Sequence, residues 1–391
     1  MDRLLALKHS EVLHKNRRGP MTAYGAVATI FAISGASFGT WASRIPTFNN
    51  QLDLEPAQLG TILSVLALAS IASFPLAGLA MDLYGPSRVS KYLTWSTLAS
   101  LTLTSFASTS LFLTFAVAVL GASIGALDVV MNGWGAEVER KGVKSIMSTL
   151  HAYWSLFAGI GGLVGLTAIK LGFSIEQHFL LVVLIMSGFA GLMSRVGWTG
   201  SIVKDSTLAF ALPHRGLWLV GFLMFCAALT EGAIADWAAI FLHERLNLTE
   251  AMAVSGFVTF SLAMFIGRML ADNLVEQFGA IRVSWFGGLL ATLGLCMVLF
   301  ASSLDFVLIG FLKLGFGLAP VFPLGCARAA NDPFVTPGQG LAGVATLGYG
   351  GIMLGPAIIG FVTQQLEIFV GFSLLLFCTL YQVAFSSCLR R

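Results

Sequence analysis

Asp82-Leu-Tyr-Gly-Pro-Ser-Arg-Val89 and Glu276-Gln-Phe-Gly-Ala-Ile-Arg-Val283 are two copies of one pattern, acid-x-aromatic-Gly-x-x-Arg-Val, set 194 residues apart. The same offset carries Phe106-Ala107-Ser108 onto Phe300-Ala301-Ser302, and an offset of 196 carries Trp41-Ala42 onto Trp237-Ala238. One tripeptide would be noise. Three matches in chain order, each at the same place relative to its apolar run, read as one long unit written twice.

The unit is made of membrane spans. Of 391 residues, 57% are hydrophobic and only 10% charged, with a mean hydropathy of +0.85; soluble domains carry roughly 25% charge. Apolar runs fall near 22–43, 59–80, 90–109, 111–133, 146–169, 177–197, 216–241, 251–271, 284–303, 306–327, 341–363 and 368–388. Twelve spans of about 20 residues use about 240, which leaves only short loops and no sizeable soluble domain. Ten-residue alternating strands are absent, so a β-barrel is excluded. The expectation is an all-α integral membrane protein of 12 transmembrane helices in two pseudo-symmetric six-helix bundles, 22–197 and 216–388. Residues 1–21 are the cytoplasmic N-terminal tail, 198–215 a cytoplasmic linker and 389–391 a cytoplasmic tail.

Charge placement orients the chain. With both termini inside, 18 of the 22 Lys and Arg, Arg268 and Arg282 among them, fall on the cytoplasmic side; Arg44, Lys170 and Arg245 lie outside and Lys313 within a span. Short basic loops resist translocation, so this is a multi-pass protein of the cell inner (plasma) membrane. A net charge of +3 is too small to suggest nucleic acid. Cys226, Cys296, Cys326, Cys378 and Cys388 have no disulfide or metal spacing and read as packing residues.

Gly78-x-x-x-Asp82-x-x-Gly85-x-x-Arg88 after the second run resembles the loop motif of the major facilitator superfamily, with its further basic residues thinned to Pro86-Ser87. Trp41-Ala-Ser-Arg44-Ile-Pro46, Leu127-Asp128-Val-Val-Met-Asn132, Ile146-Met-Ser-Thr-Leu-His151, Asp236-Trp237 and Leu347-Gly-Tyr-Gly-Gly-Ile-Met-Leu-Gly355-Pro356 are similar to the MosC-like branch of that superfamily. The resemblance covers the whole chain. It implies an alternating-access carrier, usually monomeric, whose first, fourth, seventh and tenth spans line a cavity near the bilayer midplane.

Polar groups in hydrocarbon are costly and face a cavity or a partner. At 1.5 Å per residue, Glu231 lies about 15 Å, Asp236 about 8 Å and Lys313 about 10 Å below the outer ends of their spans. Opposite charges at matching depth suggest Asp236 as structural partner of Lys313, and Glu231 as the proton or substrate carboxylate; a static salt bridge is the plainer alternative. Asp128 and His151 share the inner third of their spans, where a carboxylate beside an imidazole can pass a proton. Asn132 and Trp134 continue that strip, and Trp237 follows Asp236; helix–helix hydrogen bonding is the alternative there. Arg44 either attracts an anionic solute or snorkels to the interface.

Asp82 with Arg88, Glu137 with Glu139 and Arg140, and Glu276 with Arg282 look like charge pairs that latch the inner side. Gly159, Gly161, Gly162 and Gly165, then Gly348, Gly350, Gly351, Gly355 and Gly360, let helices approach. Pro320 and Pro323 should interrupt the tenth span. Gly351-x-x-x-Gly355-Pro356 is similar to an antiporter motif, but that motif belongs to the fifth span, which weakens an efflux reading.

No Walker, Rossmann, metal or catalytic-triad pattern is present, so the chain reads as no enzyme and as needing no cofactor or metal. Its partners are then a small-molecule substrate, H⁺ and the lipid bilayer. The reading is a proton-coupled secondary active transporter for a small polar organic solute, such as a polyol, sugar or amino-sugar-like compound, most simply an importer. An exporter of drugs or metabolites is the rival within the class; a non-transporting receptor or scaffold is the rival outside it.

Overall fold

A computed structural model describes residues 2–54, 56–142, 144–198, 200, 202–203, 212–248 and 250–390. Side chains of the tail 2–21, of Pro46 and of Pro356, and most of the linker 204–211, lie outside the described residues. The helices are α1 (Asp2–Gln51), α2 (Pro56–Tyr84), α3 (Pro86–Ser105), α4 (Ser110–Lys141), α5 (Met147–Lys170), α6 (Ile175–Ser194), α7 (Trp218–Leu246), α8 (Glu250–Phe278), α9 (Ala280–Phe300), α10 (Leu304–Leu318), α11 (Val321–Ala330), α12 (Pro337–Gln365), α13 (Ile368–Ser373) and α14 (Leu375–Phe385).

Eleven stretches are long and apolar enough to cross a bilayer; α10 with α11 counts as one, and α13 with α14 as another. The twelfth span is α3, whose hydroxyls lower its hydropathy. They do not bar it from lipid, because Thr94, Thr97, Thr102 and Thr104 each donate to the carbonyl four residues back and so satisfy their own hydroxyls within the helix. α3 starts at Pro86 rather than near 90, since Gly85 and Pro86 together form a helix start.

The repeat is realised in backbone geometry. Gly85 caps α3 at φ 83°, ψ 144° and Gly279 caps α9 at φ 82°, ψ 153°, a region an L side chain rarely adopts. Each amide reaches the carbonyl four residues back, Gly85 to Met81 at 2.9 Å and Gly279 to Val275 at 2.8 Å. Helix packing repeats as well. A Cβ at Gly121 would strike the Leu66 carbonyl, and one at Gly315 the Phe260 carbonyl, with both partners again 194 apart. Gly161 backs onto Ala36 and Gly355 onto Leu229 in the same way, whereas Gly159 and Gly162 face open space and are not needed for approach.

The chain divides into two compact units. The first holds α1, α3, α4, α6 and the greater parts of α2 and α5; the second holds α7 to α14 with 74–79 and 145–152. In the first, Trp41, Phe48, Leu101, Leu113, Leu120 and Phe179 make a buried cluster. In the second, Phe241 stacks on Phe372 at 4.3 Å. The tenth span breaks after Leu318, where Ala319 and Pro320 separate α10 from α11. α4 is unbroken because Ala126 and Val129 stand where Pro320 and Pro323 would fall in the repeat.

Candidate functional site

α8 runs seven residues beyond the apolar segment read from the sequence, which moves Arg268 from the inner end of a span into its body. There its Nη2 donates to Glu231 of α7, at 3.1 Å to Oε2 and 3.4 Å to Oε1. The Arg268 side chain is 8% exposed and that of Glu231 39%, so the carboxylate looks out and the guanidinium is enclosed. His151, in the first turns of α5 and within the same unit, lies in the electrostatic reach of Arg268 and edge-on to Phe322 of α11 at 5.6 Å. Carboxylate, guanidinium and imidazole are therefore gathered from three helices. Arg268 is the member that sequence reasoning missed, and the polar Asp272 and Glu276 after it were the only sign that the helix continues.

Asp236 and Lys313 are not paired: no hydrogen bond or ion pair joins them among the described residues. Depth alone misled. α10 packs on α8 and α9, whereas α7 packs on α12, α8 and α14, and Lys313 rests its stem against Gly294 of α9. Asp236, five residues on from Glu231, is turned by about 140° around α7 and is exposed. Trp237 lies against Gly360 of α12.

The α4 set is sealed. Asp128 is 8% exposed, Asn132 1% and Trp134 0%. Asn132 Nδ2 donates to the Asp128 carbonyl at 2.9 Å and to its Oδ1 at 3.4 Å. Trp134 offers no face to a solute here, a correction to its expected role, because its ring is fully enclosed.

Arg44 is likewise used internally. It is 2% exposed, its Nε donates to His178 Nδ1 at 3.2 Å and its Nη2 to the Phe173 carbonyl at 2.9 Å. It staples the end of α1 to the turn before α6, and neither snorkels nor reaches for an anion.

The expected charge pairs are rearranged. Glu276 does not pair with Arg282; its Oε1 accepts from Ser145 N at 2.7 Å. Beside it, Asp272 Oδ1 accepts from Ser148 N at 3.0 Å and Ser145 Oγ at 3.2 Å, while Oδ2 accepts from Thr149 N at 2.7 Å. Two carboxylates of α8 thus cap the start of α5, where orphan amides and the positive end of the helix dipole favour them. Arg88 makes no ion pair with the buried Asp82. Glu137 pairs one turn along its own helix with Lys141 at 2.7 Å, and that ammonium lies 4.7 Å from the Trp198 ring.

A cavity of about 390 Å³ in the first unit is lined by α1, α5 and α6, including Ile33, Tyr153, Phe157 and Met186. None of the charged residues above lines it, and its apolar walls suit hydrocarbon rather than a polar solute.

No family model matches the chain. A transporter of Sinorhizobium fredii, y4wD, is 33% identical over 88% of this chain and 92% of its own. The membrane protein MosC of Rhizobium meliloti is 30% identical over 87% of this chain and 83% of its own. Among solved structures, the E. coli fucose:proton symporter FucP, a major facilitator superfamily transporter, matches with a TM-score of 0.77 at 14% identity, covering 95% of this chain and 100% of that one. Relatives and structural neighbours are transporters and not enzymes. Relatedness along nearly the whole length, on this fold, means that the chain belongs to the major facilitator superfamily of transporters, in the branch that includes MosC.

Proposed function

We propose that the protein is a proton-coupled secondary carrier that takes up a small polar organic solute, a polyol, sugar or amino-sugar-like compound, by alternating access. It works as a monomer in the inner membrane with both termini cytoplasmic. The observation that carries the reading is the Glu231–Arg268 pair, an accessible carboxylate held at 3.1 Å by an enclosed guanidinium. Arginine stays charged at any working pH, so the proton must be exchanged on Glu231. Ionised, the carboxylate holds Arg268; protonated, it releases the guanidinium's donors to solute oxygens. His151 stands in the field of Arg268 as a relay, and Asp236 and Lys313 supply further polar groups for the solute. The start of α5, capped by Asp272 and Glu276, is the element whose release accompanies the change of access. FucP, which shares the fold, is named a fucose:proton symporter. One proton falling through 100 mV supplies about 2.3 kcal/mol, enough to concentrate a neutral solute about 50-fold.

The test is uptake by proteoliposomes under an imposed pH gradient across a panel of labelled polyols and sugars. The parent should accumulate one of them, and Glu231→Gln should lose accumulation while keeping solute exchange. Accumulation by Glu231→Gln equal to the parent's would sink the assignment. Gradient-driven flux in the opposite sense identifies an exporter, and a ligand-induced thermal shift without any flux identifies a receptor or scaffold.

A further inference from the structure

The second unit carries another site, on its lipid-facing side. α8, α9 and the break between α10 and α11 enclose a groove of about 360 Å³. Leu274, Phe278, Phe286 and Leu290 form its walls, Phe316 and Pro320 its floor, and Arg282 is the single charged residue among those lining it. Phe278 is 53% exposed and Phe286 63%; on helices that cross a membrane, such exposure opens to lipid, since water is absent there. Arg282 is the third residue of α9, a helix of 21 residues, or about 31 Å at 1.5 Å per residue, so the cation stands at headgroup level and the groove runs inward from it.

Arg282 is exposed and makes no hydrogen bond or ion pair with any described residue. It also sits at the end of a helix where the dipole opposes a cation, above first-turn amides that Gly279 cannot cap with a side chain. Both features call for an anion, and no carboxylate lines the groove to supply one.

We propose that this groove binds an anionic phospholipid, one acyl chain lying along Leu274 and Phe286 and the phosphate resting on Arg282 and the amides that open α9. The chain end reaches Phe316 and Pro320, so the bound lipid packs against the break in the tenth span.

Native mass spectrometry of the purified full-length protein, with phosphatidylglycerol or phosphatidylcholine of identical chains added, tests this. Phosphatidylglycerol should be retained in preference, and Arg282→Gln should lower its retention about fivefold, the worth of one basic residue at a lipid surface. Arg88→Gln, at the matching position of the first half, should change nothing. Leu274→Trp fills the groove without touching the charge and should also expel the lipid, which keeps the test decisive if Arg282→Gln does not fold. Equal retention of the two lipids overturns the proposal. So does unchanged phosphatidylglycerol retention in Leu274→Trp, or retention that falls as far in Arg88→Gln as in Arg282→Gln.

Discussion

Replacing Asp272 by Ala removes the acceptor of two backbone amides at the start of α5, Ser148 N at 3.0 Å and Thr149 N at 2.7 Å, in surroundings where Asp272 is only 5% exposed. Hydrogen bonds to a charged partner contribute about 1.5–3 kcal/mol each, and loss of a helix cap costs about 0.5–2 kcal/mol. Glu276 still holds Ser145 N, so we take the lower end of the sum, about 3 kcal/mol for opening this turn. At 1.4 kcal/mol per tenfold, that is about a hundredfold. First-turn amides of a helix ordinarily exchange freely because they have no intrahelical acceptor; here they should be protected, and hydrogen exchange read on a peptide covering 145–152 should quicken about a hundredfold in Asp272→Ala. Asp272→Asn keeps one acceptor oxygen but no charge and should quicken it about tenfold. Peptides from α9 serve as the internal standard. Exchange in Asp272→Ala within threefold of the parent would refute the claim that Asp272 is the cap.

Other substitutions test the remaining assignments. Asp236→Asn and Lys313→Met should be additive to within about 0.5 kcal/mol in a double-mutant cycle on thermal stability; a larger coupling would restore the ion pair between them. Gly85→Ala and Gly279→Ala should each cost about 1–2 kcal/mol, since both force an L side chain into left-handed backbone. Gly159→Ala, helical and facing open space, should gain up to about 1 kcal/mol, and Tm values compare all three. Arg44→Met leaves the Phe173 carbonyl and His178 without their donor and should cost about 2 kcal/mol of stability, with the transported solute's affinity unchanged. A tenfold weaker affinity at unaltered Tm would instead return Arg44 to solute binding.

What could be read in the sequence was whatever a residue type alone determines. Gly85 and Gly279 stand out because backbone at φ near 80° admits little but glycine, and the tenth span breaks where Pro320 removes an amide. Glu231 was visible as a carboxylate inside hydrocarbon, though its partner was not. An arginine near the end of an apolar run looks like a loop residue, and only helix length tells Arg268 from one. Asp236 and Lys313 share a depth, but depth says nothing of direction around the helix, and their helices both pack on α8 rather than on each other. Trp134 gave no sign of burial, because a tryptophan near a span end reads equally as an interface anchor.

The glycine contacts also bear on how this chain can be altered. Gly121 against Leu66 and Gly315 against Phe260 are backbone-on-backbone contacts, and a slip of one residue would swing either glycine about 100° away from its partner. The spacing between the halves stays at 194 from residue 66 to residue 161 and in the matching stretch from 260 to 355. Upstream of Leu66 the spacing departs from 194: the Ala36–Leu229 offset is 193 and the Trp41–Trp237 offset 196. An engineer seeking a place to insert a tag or a reporter has a guide in that mismatch: the two halves differ in register upstream of Leu66 and keep one spacing downstream of it.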